Sequence, residues 1–396
     1  MKTLILLFFL FCSTPLLSQP YTDSTSLKLQ KVVESESITG FGVAIIDKGA
    51  VIYQGGFGFA NRSKKIRYTS KTVQPIASIS KTLLGVSLLK AQELGMLNLD
   101  DDVNKYLPFK LVNPKYSDKI ITIRHIATHS SSIKDSKHYE KSYIFQEKIP
   151  PIYKKLPIGF RRLALKKIIK LYNRNERIPQ EDFLKNIYTK EGKWYKPKNF
   201  LSKAPGEQYE YSNNGAALAS LIIEKASGKS YEQFVEEHIL KPLEMNNSGW
   251  SWDNFDDAIK SKQYFAGYEL PEYELITKAD GGFITNIEDF SKYFKTMMEG
   301  FHSENNFLKT SSYDELLSKK TPPKNNSGIF WEIYDKQIGH SGGDPGVATF
   351  AFFDRDKPRA NIIFMNTTET KDLGIIIGQI FSILDEHYDR LVETSE

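Results

Sequence analysis

Between positions 83 and 94 the chain places Leu83, Leu84, Val86, Leu88, Leu89 and Leu94 so densely that a helix built from them has almost no polar face, and Gly95 ends the run. A helix that is apolar nearly all round has to be enclosed on every side, with the glycine marking where it stops, so the fold must wrap other elements around one central helix. Its approach, Pro75-Ile76-Ala77-Ser78-Ile79-Ser80-Lys81, carries a serine and a lysine toward the interior. Side chains at i and i+3 share a helix face, so the amine of Lys81 can take the hydroxyl proton of Ser78 without a histidine. A serine at the start of a helix also has a free backbone N–H and the positive end of the dipole beneath it, which favour the negative charge of an acyl-transfer transition state.

Spacing alone does not single out this pair. Ser-x-x-Lys also occurs at Ser87 to Lys90 and at Ser131 to Lys134, and Ser87 falls mid-helix, where neither advantage exists. Two further blocks favour Ser78. Tyr211-Ser212-Asn213 follows Ala204-Pro205-Gly206-Glu207 and precedes an apolar helix over 216–226 that stops at Gly228. It offers a phenol for proton transfer and a carboxamide for a substrate amide or ester. Gly339-His340-Ser341-Gly342-Gly343 leads into a strand-like run through Phe353. Small residues there let a substrate lie along a strand edge, with the N–H of Gly343 completing an oxyanion hole with that of Ser78.

With these blocks in order, the chain resembles the serine beta-lactamase and penicillin-recognising hydrolases, in particular the class C-like branch that also holds D-aminopeptidases and esterases. The resemblance extends over nearly the whole mature chain, through 55–61, 121–129, 205–250, Asp280-Gly281-Gly282-Phe283 and 340–346. It implies an α+β, beta-lactamase/transpeptidase-like fold: an antiparallel sheet flanked by helices, plus a helical lobe. It implies Ser78 as acylated nucleophile, Lys81 and Tyr211 as the proton-transfer pair, and Asn213 as the group that orients the substrate amide. His340, Ser341, Gly342 and Gly343 are then substrate-binding positions. Where the family usually has lysine this chain has His340, mostly neutral near pH 7, so weaker carboxylate recognition and an ester or amide substrate are expected. The family's Thr-Ser-Gly is Ser130-Ser131-Ser132 here. A DD-carboxypeptidase, D-amino-acid peptidase or beta-lactamase is the alternative within the family, and a non-turnover penicillin- or peptidoglycan-binding sensor the alternative outside enzymes.

Gly339 to Gly343 also satisfies Gly-x-Ser-x-Gly, which would nominate Ser341 as the nucleophile of an alpha/beta hydrolase. That fold needs a helix directly after the serine, whereas Asp344-Pro345-Gly346 and a strand-like run follow. His125 and His129 stand at i, i+4, but no glutamate adjoins them, and core or capping roles are expected in place of a metal site. No glycine-rich phosphate loop stands between a strand and a helix, so no cofactor is expected.

Met1-Lys2 and the apolar run from Leu4 to Phe11, before Ser18-Gln19, read as a signal peptide over 1–18, and hence as an exported protein, periplasmic or extracellular. Its removal takes away Cys12, the single cysteine, and with it any disulfide. The rest, 19–396, is expected to be one two-lobed domain: a sheet lobe from about 38–70 and 328–396, a helical lobe over about 82–324, and a basic insertion over about 134–200. Hairpins are expected at 41–47 with 51–57 and at 349–353 with 361–365, with a terminal helix over 373–391. A capping box runs from Ser230 to Gln233. A net charge of +5 over 396 residues does not indicate nucleic acid, and the partner expected is a small-molecule or peptide substrate. Within the insertion, 160–174 is amphipathic and basic; an ordinary helix with a solvated face is the first reading and peripheral contact with an anionic membrane or cell wall the second.

Overall fold

The computed structural model describes residues 23–35, 37–156, 158–303, 305–319, 326–368, 370 and 372–393. The expected leader lies outside them. The two ends of the chain build one sheet. Gly40–Asp47 and Ala50–Asn61 form a hairpin that turns at Lys48 and Gly49, both with positive φ (44° and 80°), the backbone that a two-residue hairpin turn requires. Val347–Asp354 and Arg359–Met365 form the second hairpin, and Arg359–Met365 pairs antiparallel with Gly40–Asp47. With Gln337–Asp344, Glu332–Ile333 and Ile66–Arg67 at the edges, this makes seven strands in which every neighbouring pair is antiparallel.

Alternation along the strands divides the interior. Ala44, Ile46, Ala351, Phe353, Ile362 and Phe364 face the large core. Phe41, Val43, Ile45, Ile363 and Met365 face a second layer, made by Ser24–Ser35 through Leu29 and Val32 and by Leu373–Glu393 through Ile376, Ile380 and Leu384. The terminal helix matches expectation; Ser24–Ser35, which packs beside it, had no counterpart in the sequence reading.

The apolar helix forms as Ser80–Glu93, and every residue from Ser80 to Leu89 is buried. Burying each of its leucines contributes about 2 kcal/mol before opposing entropy. Leu94 differs from expectation: it caps the helix and is half exposed. Asn213–Ser227 and Ile287–His302 enclose this helix within the same core, and Gly228, at φ 71°, ends the first of them. Ser230 and Gln233 form the capping box on Tyr231–Val235. In the insertion, Phe160–Tyr172 is a helix that buries Leu165 and Ile169 in a small satellite core with Ile149, Ile152 and Leu270, and leaves Lys166, Lys167 and Lys170 to solvent.

Candidate active site

Ser78 sits two residues before the first residue of the α-helix, in a 3-10 turn over Ala77–Ile79 that runs into Ser80. Ala77, just before it, holds φ at 50°, a backbone that costs a non-glycine residue about 1 kcal/mol and persists only where the surroundings impose it. Two contacts impose it. Thr349 Oγ donates to the Ile76 carbonyl at 2.8 Å. Gly342 lies so close that a Cβ there would be 2.4 Å from Thr349 Oγ, 2.6 Å from Ile76 O and 3.0 Å from Ala77 Cβ. From the other side, Ile76 N donates to Phe283 O and Phe283 N to Ser80 Oγ. Within 75–80, Ser78 is the one residue that is not fully buried.

Lys81 is fully buried, and its ammonium donates to Ser78 Oγ at 3.0 Å and to the Asp280 carbonyl at 2.5 Å. Tyr211 OH donates to the same Ser78 Oγ at 3.0 Å, and Lys81 Nζ lies 5.0 Å from the centre of the Tyr211 ring. Residues 133 apart in sequence thus converge on one hydroxyl. Asn213 is half-buried, and its carboxamide has no hydrogen-bond partner among the described residues. Gly343 is exposed, with open space beside its α-carbon.

Tyr211 is held from behind. His129 stacks on its ring at 4.5 Å, and His129 Nδ1 accepts from Ser212 N. Burial first, then the charge on Lys81, holds His129 well below the usual imidazole range, so it packs as a neutral ring. Asp135 accepts from Ser212 Oγ and from the backbone N–H groups of Asn213 and Asn214, capping the helix that follows Tyr211. Sequence reasoning missed Asp135: it follows the third Ser-x-x-Lys, and nothing local ties it to a helix 77 residues away. His125 has the capping role that was one of its expected alternatives, accepting from Thr122 N. Ser132 keeps φ at 63°, the left-handed region where the family's glycine would sit, with its hydroxyl accepting from Asn113 Nδ2 at 3.0 Å.

The third block divides by strand alternation. His340 pairs across the strand with Ala351, on the core face, and is 3% exposed, with its ring 6.4 Å from that of Tyr211. Burial, then Lys81, pushes its pKa down to about 3, so it is neutral and its Nδ1–H donates to Ser341 O. Ser341 pairs with Phe350, on the opposite face, and lines a groove with Phe350, Phe352 and Phe381 beneath the terminal helix. The structure therefore does not bring the Ser341 hydroxyl to Ser78, because a period of two sends it away from the cleft. Ser341 also lies inside Gln337–Asp344, followed by a strand and not by a helix, so the nucleophile-elbow context is missing.

At the end of this strand Asp344 meets a group of tyrosines. Tyr143 OH donates to Asp344 Oδ1 and Tyr139 OH to Asp280 Oδ2. Burial pushes the Asp344 carboxyl up to about 7, and burial also raises that of Asp280.

The model of the Beta-lactamase family matches residues 27–383. The chain belongs to the beta-lactamase family. Among curated relatives of this family member, Protein flp of Staphylococcus aureus strain MW2 is 25% identical over 361 residues, covering 87% of this chain and 64% of its own. The chain thus spans about 64% of that relative's length. Among solved structures, the octameric penicillin-binding protein homologue from Pyrococcus abyssi aligns with a TM-score of 0.68 at 24% identity, covering 87% of this chain and 73% of its own. A penicillin-binding protein from Bacillus halodurans aligns with a TM-score of 0.62 at 19% identity, covering 90% and 98%. These likenesses establish the beta-lactamase/transpeptidase-like fold.

Proposed function

We propose that this beta-lactamase-family protein is an exported serine hydrolase that acts on an ester or amide through an acyl-enzyme at Ser78. The observation that carries the reading is the single oxygen, Ser78 Oγ, contacted at 3.0 Å by both Lys81 Nζ and Tyr211 OH. When one of these two groups has lost its proton, it becomes the base for the Ser78 hydroxyl, and the other remains a donor to the leaving group. The Ser78 oxygen then bonds to the substrate carbonyl carbon, the carbonyl electrons move onto oxygen, and the N–H groups of Ser78 and Gly343 receive that oxyanion. Collapse expels the protonated alcohol or amine, and water cleaves the acyl-enzyme by the same route. Asn213, with its uncommitted carboxamide, orients the scissile amide or ester.

The neutral His340 favours this reading over hydrolysis of a beta-lactam, because no permanent cation stands there for a substrate carboxylate. The test is to treat the mature protein with a fluorophosphonate probe and a short-chain p-nitrophenyl ester, and to locate any adduct by peptide mass spectrometry. Labelling at Ser78 with ester turnover, both lost in Ser78→Ala and kept in Ser341→Ala, is expected. Labelling at Ser341 would overturn the assignment, and labelling of Ser78 without turnover would mark a slowly deacylating sensor.

A further inference from the structure

The carbonyl on which the Lys81 ammonium rests belongs to Asp280, the last residue of a 3-10 turn over Lys278–Asp280. Lys278 holds φ at 40°, a left-handed backbone that a non-glycine residue keeps only where its surroundings impose it. The Asp280 side chain is part of those surroundings. Its Oδ1 accepts from Thr277 Oγ1 across the turn at 2.8 Å, and its Oδ2 accepts from Tyr139 OH, 141 residues away in the insertion. Beyond the turn, Phe283 N donates to Ser80 Oγ and Phe283 O accepts from Ile76 N. The stretch 280–283 is thus bonded to 76–81 on both sides of Ser78.

A turn that offered only a carbonyl to Lys81 would need no charge. Asp280 is nevertheless 1% exposed, and a buried carboxylate is costly unless hydrogen bonds and a counter-charge offset it. The hydrogen bonds are present, because both oxygens accept from hydroxyls, as those of an ionised carboxylate do. The counter-charge at hand is Lys81, which is fully buried and whose own partners, Ser78 Oγ and the Asp280 carbonyl, are neutral. Burial raises the Asp280 carboxyl, and the charge on Lys81, the next influence on it, lowers it.

Other titratable groups surround the pair. Tyr211 and the neutral rings of His129 and His340 face Lys81. Asp135, Glu332 and Asp344 are the further acids that interact with Lys81 or Asp280. None of these three belongs to a residue whose backbone holds the lysine, which leaves Asp280 as the acid joined to Lys81 by both charge and geometry.

We propose that the Asp280 carboxylate is a positioning residue for Lys81: clamped by Thr277 and by Tyr139 of the insertion, it fixes the carbonyl that holds the ammonium and balances the ammonium charge. The inference rests on the hydrolase reading of Ser78. Asp280 acts through Lys81, and Tyr139 acts through Asp280, so the insertion serves the active site and is not a surface addition. Removing a negative charge beside Lys81 and Tyr211 eases the loss of a proton from either, so the sign of the effect is the same whichever of them is the base.

The experiment follows kcat and KM for a p-nitrophenyl ester, and the rate of fluorophosphonate labelling of Ser78, against pH in the wild type, Asp280→Asn, Tyr139→Phe and the double variant. Asp280→Asn keeps the shape and an oxygen for one hydroxyl. It should move the acid limb of kcat/KM and of labelling about one pH unit lower, and reduce the plateau kcat about tenfold with KM within about threefold of wild type. Tyr139→Phe should lower kcat about fivefold by itself and less than about twofold in the Asp280→Asn background, because the two residues act in series. An acid limb that stays in place in Asp280→Asn, or losses that multiply in the double variant, would overturn the proposal. Should thermal melts show that Asp280→Asn does not fold, Tyr139→Phe decides: a lower kcat at unchanged KM supports the proposal, and an unchanged kcat overturns it. If the wild type is neither labelled at Ser78 nor active on the ester, the hydrolase reading fails by itself, and ¹³C NMR titration of Lys81 Cε decides the pairing. A midpoint that falls in Asp280→Asn supports it, and one that does not fall overturns it.

Discussion

Two halves of one helix carry the same Ser-x-x-Lys spacing and put it to opposite uses. At the start, Ser78 is accessible and takes hydrogen bonds from Lys81 and Tyr211. Nine residues on, Ser87 is fully buried and donates to the Leu83 carbonyl at 2.7 Å, while Lys90 reaches away to the Phe307 carbonyl, 4.6 Å from that residue's ring centre. A mid-helix serine turns back on its own helix because the carbonyl four residues earlier is the nearest acceptor. Ser78 has no preceding helical turn to bond to, and the turn at Ala77 presents it to solvent instead. The spacing supplies the opportunity; a helix end, a phenol from another segment and a strand edge supply the chemistry.

The sharpest way to break this contrast is to exchange the two serines for alanine separately. Ser78→Ala is expected to abolish covalent labelling and ester turnover altogether, since no other hydroxyl stands in its place. Next in size is Tyr211→Phe, which removes the second donor to Ser78 Oγ and should lower kcat by about 10² to 10⁴ while the protein still folds. Steady-state kinetics on a p-nitrophenyl ester reads both; a Tyr211→Phe enzyme within about twofold of wild type would remove the phenol from the mechanism.

Burial of His340 beside Lys81 yields a pH effect with a definite sign. Its pKa is about 3 in the folded protein and about 6.5 in an unfolded chain. As pH falls from about 6.5 toward 3, the unfolded chain therefore takes up a proton that the fold refuses, and stability drops by up to about 1.4 kcal/mol per pH unit. His340→Gln should flatten that acid limb in denaturant titrations between about pH 6 and 4. An unchanged limb would mean that His340 is not the group responsible.

Asp135→Ala tests how the first half acquires its phenol. The carboxylate accepts three hydrogen bonds at the start of the helix after Tyr211, so its loss should cost about 1–2 kcal/mol of stability. Displacing Tyr211 from its 3.0 Å contact should also lower kcat by about tenfold. Thermal melts and kinetics on one preparation check the two effects together. A stability loss with unchanged kcat would show that Asp135 holds the helix without positioning the phenol.

How far such a site can be read from sequence follows from the range of its contacts. Ser78, Lys81 and the enclosed helix were legible because i, i+3 spacing and all-round apolarity are local. The two hairpins and the terminal helix were legible for the same reason. Asp135 was not, because a cap supplied from 77 residues away leaves no pattern at either end. Nor were the tyrosines that meet Asp280 and Asp344, which come from a segment read only as a basic insertion. Ser341 is the instructive case. Its strand was correctly expected, and once His340 is taken to face the core, period-two alternation already sends Ser341 to the other side.

The smallest effect is the control for the whole comparison. Ser87→Ala deletes a hydroxyl whose bond, at 2.7 Å to Leu83 O, shares a carbonyl with the helix ladder, and alanine is the better helix former. The loss and the gain should nearly cancel, leaving stability within about 1 kcal/mol and the melting temperature within about 4 °C of wild type. Turnover should stay within about twofold, because no contact of Ser87 reaches Ser78, Lys81 or Tyr211. If Ser87→Ala instead reduced turnover as strongly as Tyr211→Phe, the two halves of the helix would be coupled through Val86 and Leu84, and spacing would matter more than position.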